Sequence, residues 1–343
     1  MKSLLRPLHL AAVTSGPRLG LKRIGLFGAV PRPVKTYHSE PYDRISPSRT
    51  TFEAVEKTVL VTGGAAGIGF EISEAFAEAG IARLIISSRS SGPQVEAKKK
   101  LHADFPKLEI ELVQAAITIN ARMKEILTSV GPIDVLVLNA AATHSSDVAT
   151  IDLKDGVIED VFNSNVLGPW NIVKTYLSLP APPSGTRTVL NVSSGALHLC
   201  MPRNGGYGAL KAAFTQMMSF LANEYSPEKD RIRAFLTTMA RSVGYDEKSF
   251  GGNPISLTLP APIREDWLPT AFTRLEHLLK LLPFTCSGRI FVCLAILQCG
   301  SRLERPILLH GRFVRSHWDV DELIGQKQKF EEDPNFLRIG LML

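Results

Sequence analysis

"TVLVTGGAAGIG", residues 58–69, decides how this chain folds. TVLVT (58–62) is a short β-branched run that stops at Gly63 and Gly64. A helical pattern follows at once, with Ile68, Ile72, Ala75, Phe76 and Ala79 on one face. Glycine lets the backbone turn tightly and come close to a ligand, while the free N–H groups and dipole of the next helix attract negative charge. A glycine-rich turn alone is a weak signal. One that leaves a strand and opens a helix is the setting that a dinucleotide pyrophosphate requires. Gly63, Gly67, Ile68 and Gly69 are therefore the candidate pyrophosphate-binding positions, with a purely structural turn as the alternative.

Outward from this turn, strand and helix signals alternate. Strand-like RLIIS (83–87) precedes a Lys-rich helix near 94–104, and LEIELV (108–113) precedes a helix near 120–129. IDVLVL (133–138) and TVLNVS (188–193) supply further strands. Apolar strands between amphipathic helices imply an α/β fold: a doubly wound, Rossmann-like parallel sheet in a single domain, with helices on both faces. The second strand ends in ISSRSS, with Ser88 and Arg89 and no acidic residue. An acid there would bond the 2′-hydroxyl of NAD, whereas an arginine accommodates a 2′-phosphate, so NADP(H) is favoured over NAD(H).

Composition narrows the remaining classes. The chain has 343 residues, 45% of them apolar and 21% charged, the profile of a globular protein with a large core. Its formal charge is +6, but residues 1–50 hold nine Lys or Arg against Glu40 and Asp43, so residues 51–343 are close to neutral. That removes the basic surface on which nucleic-acid binding would rest. Residues 1–50 are read as a basic extension and 51–343 as the catalytic domain. Met1 to Ser39 contain no acid and have the make-up of a mitochondrial transit peptide; a basic tail on a cytoplasmic protein is the other reading. No apolar run reaches 18 residues, and IFVCLAIL (290–297) is too short to span a bilayer, so no integral membrane segment is expected. Cys200, Cys286, Cys293 and Cys299 fit neither a disulfide framework nor a common zinc pattern, and no metal is expected.

TGGAAGIG, LNAA (138–141), Asn165 in NVLG, Ser194 and YGALK (207–211) occur together in the order and approximate spacing of the short-chain dehydrogenase/reductase family. The resemblance covers roughly residues 57–235, and HGRFVRSHWDVDEL (310–323) resembles the C-terminal strand and turn of fungal members. Tyr207 and Lys211 stand at i and i+4, so a helix places them on one face. A phenol of pKa about 10 is a poor acid and a poorer base unless tuned, and a nearby ammonium lowers its pKa. The resemblance implies Tyr207 as general acid/base, Lys211 as the group that lowers its pKa and holds the cofactor ribose, and Ser194 as the substrate-oxygen donor. It implies that Asn165 supports a proton-relay water next to Lys211 and that Asn139 braces the cofactor crevice. Singly, each has a bland alternative: Asn165 a helix cap, Ser194 a turn hydroxyl, Tyr207 a core aromatic.

Three sites depart from the family pattern. Leu138 and Ala141 replace the Asn and Gly that flank its Asn-Ala pair, Ala116 replaces an acid near the adenine, and Met239-Ala240 replaces a Pro-Gly. Residues 240–305 lose the resemblance; LEHLLKLLPF and IFVCLAIL there are consistent with a divergent, apolar substrate lid and pocket or with an altered reading frame. Two function classes follow: an NADP(H)-dependent oxidoreductase acting on a small carbonyl or alcohol, as in fungal secondary metabolism, or a dinucleotide-binding regulatory protein without turnover. A homodimer or homotetramer is expected through the Tyr207-bearing helix, with Ala212, Phe214, Met217, Met218 and Leu221 as its outer face.

Overall fold

Strands with apolar side chains on both faces can be buried only if helices cover the sheet from both sides. The computed structural model describes residues 33–38, 42–47, 54, 56–144, 147–198, 203–239, 309–315 and 318–338. The readings on residues 1–32, on 240–305 and on the four cysteines lie outside them. In chain order the principal elements are β1 (Thr58–Thr62), α1 (Gly67–Glu78), β2 (Arg83–Ser88), α2 (Ser91–Asp104), β3 (Glu109–Gln114), α3 (Asn120–Ser129) and β4 (Val135–Leu138). Then come α4 (Val157–Phe162), a π-helical turn (Asn163–Leu167), α5 (Gly168–Ser178), β5 (Arg187–Ser194), α6 (Gly205–Glu224) and β6 (Ile232–Met239). A short β7 (Phe313–Arg315), α7 (Val320–Ile324) and α8 (Lys327–Glu332) close the described chain.

The seven strands pair in parallel in the order β3-β2-β1-β4-β5-β6-β7. The chain steps outward from β1 to β3, then returns to the other side of β1 through β4. That reversal opens a crevice at the carboxyl ends of β1 and β4, where ligands of such sheets bind.

The two-residue period of a strand divides the core. Val59, Val61, Leu84, Ile86, Val135 and Val137 join one buried cluster with Ile72 and Phe76 of α1. Leu60, Ile85, Leu136 and Val189 join the other, with Ile126 of α3, Ile172 of α5 and Met218 of α6. Most of these side chains are fully buried, each contributing about 1.5–3 kcal/mol relative to exposure. Phe214, Met218 and Leu221 belong to this core at 3%, 0% and 5% exposure, which corrects the outer face expected for α6. The residues α6 does turn outward include Ala209, Ala213, Phe220, Asn223 and Glu224, because its apolar stripe is consumed by the sheet.

Polar groups fasten the edges of the fold. Buried Asp134 accepts from Thr58 N (3.0 Å), Lys57 Nζ (3.2 Å) and Ser184 Oγ (2.6 Å) below β1 and β4. His310 accepts from Ala234 N at 3.1 Å and meets the Ala222 carbonyl at 2.7 Å, tying β6 to the end of α6; burial lowers its pKa and keeps it neutral. Residues 33–38 and 42–47 lie against α7: Glu322 accepts from Thr36 Oγ1 (2.6 Å), Asp319 pairs with His38 (2.8 Å), and Arg44 with Asp321 (2.9 Å).

Candidate functional site

The turn after β1 is built around atoms that leave no room for side chains. Gly63 and Gly67 have φ of +67° and +53°, the left-handed region that favours glycine. A Cβ on Gly69 would stand 2.0 Å from the Gly63 carbonyl oxygen and 2.5 Å from Asn139 Nδ2. Asn139, at the end of β4, donates to the carbonyls of Thr62 (3.0 Å) and Gly63 (3.3 Å). Thr62 Oγ1 receives the backbone N–H groups of Asn139 (3.0 Å) and Ala140 (3.1 Å), and Ser73 Oγ donates to Gly64 O and Gly69 O. The turn is thus braced from two sides, while Ala66 at the N-cap of α1 offers no side-chain acceptor. The first-turn amides of Gly67, Ile68 and Gly69 have no acceptor within the helix. Ile68 packs its side chain on the core, so only its backbone is available to a ligand.

At the end of β2, Ser87 Oγ is buried without a hydrogen-bond partner among the described residues. Ser88 Oγ donates to Ser90 O at 3.0 Å, and the Arg89 carbonyl accepts from Gln114 Nε2 at 3.1 Å, which holds the loop while Arg89 remains exposed. A tight positive-φ turn, uncapped helix amides, an unsatisfied hydroxyl and an exposed cation along one crevice fit a dinucleotide.

Ser194 ends β5, and Tyr207 and Lys211 sit in the first two turns of α6. The Ser194 side chain lies near enough to the Tyr207 hydroxyl to favour its phenolate. Ser194 Oγ also accepts from Ala196 N at 3.1 Å, which fixes its rotamer. Lys211, 6% exposed, donates from Nζ to the Val192 carbonyl at 3.0 Å. Burial lowers its pKa to about 8, so at neutral pH it is an ammonium. The expected lowering of the Tyr207 pKa is not found: burial raises it, and the nearby Ser194 side chain only partly opposes that. Removal from water is the dominant cause, and the Lys211 ammonium donates to Val192.

Asn165 is buried in the π-helical turn. Its Oδ1 accepts from Ala142 N and its Nδ2 donates to Ala142 O, both at 2.8 Å, so its side chain is spent on one backbone residue. It pins the loop after β4. That loop brings His144 to the start of α6, where its Nε2 accepts from Tyr207 N at 3.1 Å. Sequence reasoning missed His144 and the hydroxyl of Thr62, because both act on backbone atoms more than 60 positions away.

Residues 57–245 match the sequence profile of the short chain dehydrogenase family. The chain is also 39% identical over 320 residues to the short chain dehydrogenase/reductase nsrO of Aspergillus novofumigatus, covering 93% of this chain and 100% of the relative.

The chain belongs to the short-chain dehydrogenases.

It is 29% identical over 238 residues to carbonyl reductase (NADPH) 2 of Sus scrofa, covering 67% of this chain and 88% of that protein. A solved 3-oxoacyl-(acyl-carrier protein) reductase of Brucella melitensis superposes with a TM-score of 0.55 at 19% identity, over 76% of this chain and 96% of that one. That likeness shows the doubly wound fold. Membership makes this short-chain dehydrogenase an oxidoreductase that uses a nicotinamide dinucleotide and acts on small molecules. Among its described residues no helix is long and apolar enough to cross a membrane.

Proposed function

We propose that the enzyme uses NADP(H) to reduce a carbonyl, or oxidise the corresponding alcohol, of a small organic molecule of fungal secondary metabolism. Tyr207 is its general acid/base. The observation that carries this reading is the convergence of Ser194, at the end of β5, with Tyr207 and, one turn further along α6, buried Lys211.

When bound, the nicotinamide supplies the hydride for reduction or accepts it in oxidation. Ser194, held by Ala196 N, can present its hydroxyl to the substrate oxygen, and one such donor is worth about 10²–10³ in rate. Tyr207, kept protonated by burial, can give its proton to the same oxygen. Lys211 has three N–H donors and spends one on Val192, so two are left for the cofactor ribose and the phenol. Asn165 acts through the loop it pins.

The NADP(H) preference rests on exposed Arg89 and the missing acid after β2, and the name of the Sus scrofa relative agrees with it. NADPH should bind and turn over in preference to NADH with a panel of ketones and aldehydes. Arg89→Asp should weaken NADPH at least about tenfold and NADH little, as one charge-assisted phosphate contact is lost. Equal loss for both cofactors in a binding titration would remove Arg89 from that role.

We further propose a homodimer or homotetramer, with exposed Phe220 and Ala213 of α6 and Phe162 and Leu167 beside α5 as the apolar contact surface. A monomeric mass by light scattering at micromolar concentration would exclude it. The location is proposed as mitochondrial or cytoplasmic. N-terminal sequencing of the cellular protein separates the two, since Met1 at the terminus would rule out a cleaved leader.

A further inference from the structure

Ser194 lies on β5, whereas Tyr207 and Lys211 lie on α6, so the alignment of the three depends on the register of a strand against a helix. Between these elements runs a buried polar ladder in an otherwise apolar core. Thr215, fully buried, donates from Oγ1 to the Lys211 carbonyl at 2.6 Å. That spends its only proton, so the 2.5 Å contact with Ser193 Oγ has Ser193 as donor. Asn191 Nδ2 donates to the remaining lone pair of Thr215 at 3.4 Å. Asn191 and Ser193 are themselves 1% and 5% exposed, on the face of β5 that meets α6.

The helix is therefore held against the strand at three heights. A Cβ on Gly208 would meet the Ala196 carbonyl at 2.8 Å, Lys211 Nζ reaches Val192 O, and Thr215 is gripped by Ser193 and Asn191. Ser193 adjoins Ser194, and Thr215 stands one turn beyond Lys211. A slip of one residue would break all three contacts and leave buried polar groups unpaired, which is expensive in a dry core.

We propose that Thr215 is a positioning residue that sets the distance from Ser194 to Tyr207 and Lys211. It acts through Ser193, Asn191 and the Lys211 carbonyl and touches no reacting atom. This inference rests on the oxidoreductase reading above.

Thr215→Val keeps the shape and deletes the hydroxyl, whereas Thr215→Ser keeps the hydroxyl. In the full-length protein, Thr215→Val should lower kcat for carbonyl reduction about 10- to 100-fold, the scale of a sub-ångström to 1 Å misplacement, while the Kd for NADPH changes less than about threefold. Thr215→Ser should restore kcat to within about threefold of wild type. A readout independent of turnover is hydrogen exchange of the peptides covering residues 191–196 and 205–215, which should quicken in Thr215→Val and return in Thr215→Ser. Should Thr215→Val not fold, Ser193→Ala removes one rung and should show the same pattern at smaller size.

A folded Thr215→Val protein with wild-type kcat, or with unchanged exchange, overturns the proposal. So does a Thr215→Ser protein as impaired as Thr215→Val. A wild-type protein that binds NADPH without turnover overturns the oxidoreductase reading instead, and exchange then decides the ladder alone.

Discussion

Lys211 is held out of water with one carbonyl partner, and its pKa falls to about 8 from an ordinary 10.5. The sign of that shift matters: the folded state binds the proton less tightly than the unfolded chain, so burying the ammonium costs stability at neutral pH, and the cost fades as pH rises from about 8 to 10.5. Lys211→Met should therefore melt at a higher temperature at pH 7, by about 2–4 °C for each kcal/mol of burial cost relieved, and bind NADPH less well without turnover. A lower melting temperature with activity retained, by calorimetry and a rate assay, would contradict this. In wild type, Tyr207 carries its proton and Lys211 its charge below about pH 8, so reductive turnover should decline as pH rises through that value. The residue types and their i, i+4 spacing were legible in the sequence. The direction of the Tyr207 shift was not, because burial is a property of the packed α6, and neither was the capture of Asn165 by Ala142.

At the scale of elements, the strand-turn-helix from Thr58 to Glu78 is the part whose sequence leaves least freedom. β1 begins and ends where its β-branched run does, and α1 buries Ile72, Ala75 and Phe76 on the face that the periodicity marks. Gly69→Ala should disturb this unit: a Cβ 2.0 Å from Gly63 O must push the turn open, at a cost of about 1–3 kcal/mol, and lower NADPH affinity. A melt and a fluorescence titration both close to wild type would show that the turn can move aside. Helices α4 and α5 escaped the reading because a π-helical turn at Asn163–Leu167 shifts the apolar stripe between them. The outer face of α6 was misassigned for a related reason. A 20-residue helix with small and apolar residues on several sides shows no single stripe, and only the sheet selects which side is buried.

For the whole molecule, the parallel sheet and its switch point between β1 and β4 were legible from the alternation of apolar strands and amphipathic helices. The docking of residues 33–38 and 42–47 on α7 was not, since it joins segments nearly 290 positions apart through side-chain contacts such as Thr36 to Glu322. What the fold accomplishes with this arrangement is to bring a dinucleotide turn, a Ser-Tyr pair and a buried ammonium to one edge of one sheet. The chemistry assigned to that edge is tested most directly by following the transferred hydrogen. The full-length protein should be incubated with NADPH deuterated at the reactive C4 position and a panel of ketones, and the alcohols weighed by mass spectrometry. Wild type should yield an alcohol heavier by one deuterium, and Tyr207→Phe should bind the cofactor equally well yet yield none. Deuterium transfer by Tyr207→Phe at the wild-type rate, or cofactor binding by wild type with no labelled alcohol from any ketone, would contradict it.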